Sequence, residues 1–202
     1  MKHKAPEMAE SYAEQYLAET DPDARALALE AFSVCPYPLD PAPILLDADS
    51  DRESLRSAAI EALTKIRDPK VRDHAWGHME DDPQNMLPIL IRNYMPEDET
   101  FLRKVISELG VDHADKTNWH EIYMDILELF DPDAGVARPP KSLLPIMYES
   151  TLCSFCRWTI VRIMGRCRMI SGSMWEELIF DSYGRNREYA AAHYKRTASD
   201  GH

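Results

Sequence analysis

The chain has 202 residues, 45% of them hydrophobic, and sets 35 acidic side chains against 23 basic ones for a formal charge of −12. That length suffices for one sizeable core, and the charge repels phosphate backbones and anionic lipid, which argues against a nucleic-acid partner. No window approaches 18 uninterrupted apolar residues and the N-terminus has no apolar signal core, so the expectation is a soluble, cytoplasmic protein with no membrane partner.

Residues 7–19 place Met8, Tyr12, Tyr16 and Leu17 on one side of a first helix, and 22–34 form its partner. Asp21-Pro22 marks the partner's start, because Asp caps orphan N–H groups and Pro sits where no donor is needed. Four prolines between Pro36 and Pro43 stop any helix. A short apolar turn at Ile44, Leu45 and Leu46 precedes a cap around Asp49–Asp51. From Asp51, residues Leu55, Ala59, Ala62, Leu63 and Ile66 form one apolar stripe of helical period. Asp68-Pro69 starts another helix, 69–80, followed by 84–94. Phe101, Leu102, Val105, Ile106 and Leu109 predict a further helix with Gly110 just past its end. After a polar loop at 111–118, the stretch Trp119–Phe130 keeps an apolar stripe. The passage 131–140 reads as the longest irregular loop. Residues 141–165 read as a helix pair broken near 148–151, and 172–196 as a terminal pair with a corner at 181–186. A single domain spanning 1–202 is expected, with a disordered tail at 197–202.

One pattern repeats. Arg25–Phe32 (RALALEAF) and Arg56–Leu63 (RSAAIEAL) both read Arg-x-x-Ala-apolar-Glu-Ala-apolar, 31 residues apart (25 to 56). A weaker echo relates Arg157-x-x-Ile160 to Arg187-x-x-Ala190, whereas Leu87–Tyr94 (LPILIRNY) keeps the apolarity but not the Arg and Ala positions. Self-similarity at this period marks stacked helical hairpins, none of which can bury its apolar face alone. The Asp-Pro starts, the Arg-x-x-Ala spacing and the Ala-rich contacts at 21–32 and 51–76 resemble the short-period HEAT-like repeat family. That resemblance implies an all-α, right-handed solenoid of about four to five hairpins, with second helices lining a concave face. It also implies a structural role for Arg25, Arg56, Arg72 and Arg187 on neighbouring Asp side chains or helix-end carbonyls.

The cysteines Cys35, Cys153, Cys156 and Cys167 are expected as free thiols in a chain that needs no staples. Cys153-Ser-Phe-Cys156 has the spacing of zinc and redox pairs, and at the start of a helix one of the two favours its thiolate form. Zinc needs further ligands, for which the nearest in sequence are Cys167 and His193. Neither builds a second paired knuckle, so the expectation is core packing with no metal and no cofactor. His120-Glu121 is similar to the metal-binding pairs of HEAT-like deoxyhypusine hydroxylases, but one pair alone predicts a solvent-side His and Glu. HEAT-like alkylpurine DNA glycosylases, whose aromatic readout this chain resembles in having Trp76, Trp119, Trp158 and Trp175, and bilin lyases are the enzyme alternatives. No nucleotide-binding or hydrolase motif accompanies them.

These readings favour a non-enzymatic adaptor, inhibitor or immunity-type protein that holds another protein, possessing a basic surface, on its concave face. The acidic corners Glu80–Asp82 and Glu97–Glu99 form the expected negative rim. The expected binding residues are Asp81, Asp82, Arg92 and Tyr94, with Trp158 and Trp175 as the next region in line.

Overall fold

The computed structural model describes residues 4–109, 117–132 and 135–199, in which there are twelve α-helices and no strand. The chain divides into two compact units, Met1–Tyr94 and Met95–His202.

In the first unit, α1 (Lys4–Ala18) leads into α2 (Pro22–Leu29), which tightens into a 3-10 turn at Glu30–Ser33. Asp21 caps α2 as its sequence predicts, its carboxylate accepting from the N–H groups of Asp23 and Ala24. The short apolar turn around Ile44 is a full helix, α3 (Ala42–Ala48), paired with α4 (Glu53–Leu63). The α4 cap falls on Arg52 rather than Asp51 and has no side-chain bond; Ser50 Oγ instead accepts from the Arg52 N–H. The next pair is α5 (Pro69–His78), capped by Asp68, and α6 (Pro83–Arg92). Helices α2 and α4 lie side by side, so the two copies of the repeat bury equivalent residues: Leu29 and Phe32 in one, Ile60 and Leu63 in the other. Ala59 is 0% exposed, and a side chain that small permits the close approach. Asn93 ties the third pair to the second: its amide donates to the Ile66 and Ile89 carbonyls and its oxygen accepts from the Asp68 N–H.

In the second unit a 3-10 turn at Pro96–Asp98 enters α7 (Glu99–Leu109), and α8 (Thr117–Glu128) follows. The expected Gly110 cap and most of the 111–118 loop lie outside the described residues. The pair α9 (Leu143–Ser150) and α10 (Ser154–Arg166) breaks at 151–153. The last pair is α11 (Gly172–Leu178) and α12 (Gly184–Ser199). Backbone at 197–199, expected to begin a tail, continues α12, and 200–202 lie outside the described residues. Helix α7 packs on α9, α8 on α10, and α10 on α12.

Both units share one device. Arg25, Arg56, Arg157 and Arg187 each stand four residues after the cap of a second helix. Each reaches back to the carbonyl six residues earlier, where the first helix of its pair ends: Glu19 at 3.1 Å, Ser50 at 3.2 Å, Thr151 at 3.4 Å and Asp181 at 2.7 Å. The guanidinium thus satisfies a helix-end carbonyl that has no partner within its own helix. Two of these arginines also reach an aspartate at the end of the next first helix, Arg25 to Asp47 and Arg157 to Asp181. The expected carbonyl and aspartate roles are therefore observed for Arg25, and the carbonyl role for Arg56 and Arg187.

Candidate functional site

The residues expected to bind a partner around α6 are placed unevenly. Asp81 is exposed. Asp82 is half-buried at the start of α6, where it accepts from Asn85 Nδ2 at 2.8 Å. Arg92 and Tyr94 are also half-buried. Arg92 lies close enough to Arg67 that burial first, and the Arg92 charge second, lower the Arg67 pKa; the Arg92 Nε has no hydrogen-bond partner among the described residues. Of the second acidic corner, Asp98 does not belong to a rim: it is 2% exposed and accepts from the Met95 N–H at 2.8 Å. Glu99 accepts from Arg103 and from the Ser142 hydroxyl. Sequence alone reads these carboxylates as solvated because capping geometry is invisible in composition.

Trp158 and Trp175, from α10 and α11, are brought together by a residue that sequence reasoning did not single out. Tyr189 of α12 meets Trp158 edge-on at 5.7 Å between centroids and Trp175 at 5.4 Å. His193, one turn further on, stacks flat on Trp175 at 4.0 Å. Gly165 makes room for this cluster, since a Cβ there would overlap the Tyr189 hydroxyl. The i, i+4 spacing of Tyr189 and His193 was the available signal.

The C-x-x-C pair occupies the first turn of α10. Cys153 is its cap residue, and its sulfur accepts from the Cys156 N–H at 3.5 Å. Cys156 is buried, and that burial, reinforced by the neighbouring Cys153, pushes its thiol up to about 12. Neither Cys167 nor His193 joins them. Instead His120, from the second turn of α8, brings Nδ1 to 3.1 Å from Cys156 Sγ and 3.6 Å from Cys153 Sγ. His120 is exposed, as its sequence context suggests, yet one ring nitrogen faces both sulfurs. Thirty-odd residues separate the donors in sequence, and only the packing of α8 on α10 joins them.

A second cluster in the first unit places His74 and His78, one turn apart on α5, beside Asp49. His78 Nε2 lies 3.5 Å from Asp49 Oδ1, the two rings are 4.4 Å apart, and burial lowers the His74 pKa. An open cleft of about 250 Å³ runs between α8 and α10, with Arg162, Arg166, Glu128 and Asp131 among its lining residues. Among the described residues no helix is long and apolar enough to cross a membrane.

Compared with protein families, with curated proteins and with solved structures, the chain matches none in any of the three. Its class is accordingly that of its own architecture, all-helical across the described residues.

Proposed function

We propose that this chain is a non-enzymatic, cytoplasmic HEAT-like repeat protein, a right-handed solenoid of helical hairpins that holds a partner protein on its second helices. The observation that carries the reading is the repeated arginine clasp. Four second helices enter by the same contact to the end of the preceding helix, and two extend it to an aspartate of the next pair. A contact that recurs at the same position of four second helices is what stacking of equivalent units favours. Such stacks leave the outer positions of their second helices available to a ligand. On α2 this leaves Leu27 68% exposed, an apolar side chain available for contact. The net charge of −12 selects a basic partner surface and speeds its encounter. Adaptor, inhibitor and immunity-type roles all use this mode of capture.

The test is affinity purification of the tagged chain from its native host, with the partner identified by mass spectrometry. Tyr94→Ala combined with Asp81→Lys and Asp82→Lys is expected to reduce recovery of that partner at least tenfold while the circular-dichroism melt stays near the parent. Equal recovery from parent and variant would remove α6 and its corners from the binding surface.

A further inference from the structure

We propose that His120, Cys153 and Cys156 form a Zn²⁺ site with three protein ligands and a fourth position open to an exchangeable ligand. The proposal does not depend on the protein-binding reading.

The donor atoms lie close to where a tetrahedral ion needs them. With zinc–sulfur bonds of about 2.3 Å and zinc–nitrogen bonds of about 2.05 Å, tetrahedral angles separate sulfur from nitrogen by about 3.6 Å. The Cys153 sulfur stands 3.6 Å from His120 Nδ1, and the Cys156 sulfur 3.1 Å, so one sulfur moves back by about half an ångström when the ion enters. The three ligand atoms lie within 4.8 Å of one another. The same bond lengths set the two sulfurs about 3.8 Å apart, inside that limit.

Two rigid elements hold the set. The cysteines occupy the cap and third residue of a 13-residue helix, so their spacing is fixed by the first turn. His120 is carried by α8, which packs on α10. Charge favours the ion as well. Two thiolates and a neutral imidazole cancel the charge of Zn²⁺, so the loaded site buries no net charge at the half-buried corner where Cys156 is already enclosed. A dithiol used only for packing has no need of a third donor aimed at both sulfurs. Soft sulfur ligands also set this site apart from the Asp49, His74 and His78 cluster, whose donors are a carboxylate and two imidazoles.

The experiment titrates the reduced, metal-free full chain with Co²⁺ and then with Zn²⁺ against a chromophoric chelator. The expected result is one equivalent bound at this site, with a thiolate-to-cobalt charge-transfer band and the intense visible bands of tetrahedral cobalt. Cys153→Ser with Cys156→Ser is expected to abolish the charge-transfer band. Because Cys156 is buried and that variant can unfold, the exposed His120 provides a second one: His120→Ala is expected to weaken zinc at least tenfold, by analogy with the loss seen when even outer partners of a metal site are removed. Cys167→Ser and His74→Gln with His78→Gln are expected to leave the band unchanged. The proposal is overturned by a folded His120→Ala protein with parental zinc affinity. It is equally overturned by a cobalt complex lacking the charge-transfer band, or by a reduced parent that takes up no ion.

Discussion

Replacing Asp47 tests the contact that joins the first two helix pairs. One oxygen, Oδ2, accepts from the Tyr16 hydroxyl at 2.5 Å and from Arg25 Nη2 and Nε at 2.6 and 3.1 Å. Tyr16 is fully buried, and the Asp47 and Arg25 side chains are 12% and 19% exposed. Removing one partner of a fully buried pair costs about 3–5 kcal/mol, and stranding a buried hydroxyl donor costs about 1–3 kcal/mol. Partial exposure lowers the first figure, and Arg25 keeps its bonds to the Glu19 carbonyl and the Tyr16 oxygen, which lowers it further. Asp47→Ala is therefore expected to destabilise the first unit by about 2–3 kcal/mol. Asp47→Asn, which keeps an acceptor but not the charge, is expected to cost about half as much. Urea unfolding followed by circular dichroism gives the totals, and hydrogen exchange over residues 4–63 locates them. In a double-mutant cycle, Arg25→Ala and Asp47→Ala should couple by at least about 1 kcal/mol. Coupling near zero, or both Asp47 variants within about 0.5 kcal/mol of the parent, would refute the argument that this contact carries stability.

Ala59→Asp is expected to cost about 3 kcal/mol or more, because position 59 is 0% exposed and a carboxylate there loses its water; a melting temperature equal to the parent's would contradict the helix register. Gly165→Ala sets a helix-propensity gain of about 1 kcal/mol against a clash with Tyr189 of about 1–3 kcal/mol. The net result should be destabilising, smaller in a Tyr189→Phe background, and an equal effect in both backgrounds would mean that Tyr189 does not touch position 165. In alkali, Tyr16, Tyr37, Tyr123 and Tyr148 all have pKa values raised first by burial, Tyr148 up to about 12. A raised folded-state pKa contributes stability that is complete below the unfolded value of about 10 and is lost as pH climbs through the folded value. Stability should therefore fall from about pH 10 upward, and less steeply in Tyr148→Phe; denaturation midpoints that stay flat through that range would count against the buried assignments.

Helix class, most helix positions and the pairing into hairpins were legible in the sequence because they follow from local chemistry. An Asp cap, a Pro at the first turn and a 3.6-residue stripe act within a few residues of one another, so α2, α4, α5 and α7 lie close to where their patterns put them. The Arg-x-x-Ala repeat likewise reported a local act, since a guanidinium four residues into a helix reaches the carbonyl just before the turn. Tertiary structure alone decided what the polar and sulfur-bearing side chains face. Nothing in Glu97-Asp98-Glu99 distinguishes the buried Asp98 from the exposed Glu97, because the difference lies in the backbone N–H of Met95 that it caps. Nothing near Cys153 or Cys156 points to His120, because the donors come from two helices whose proximity depends on how their apolar faces pack. Periodicity identifies the face that a helix buries, and a site assembled from several helices depends on the partner that each face meets.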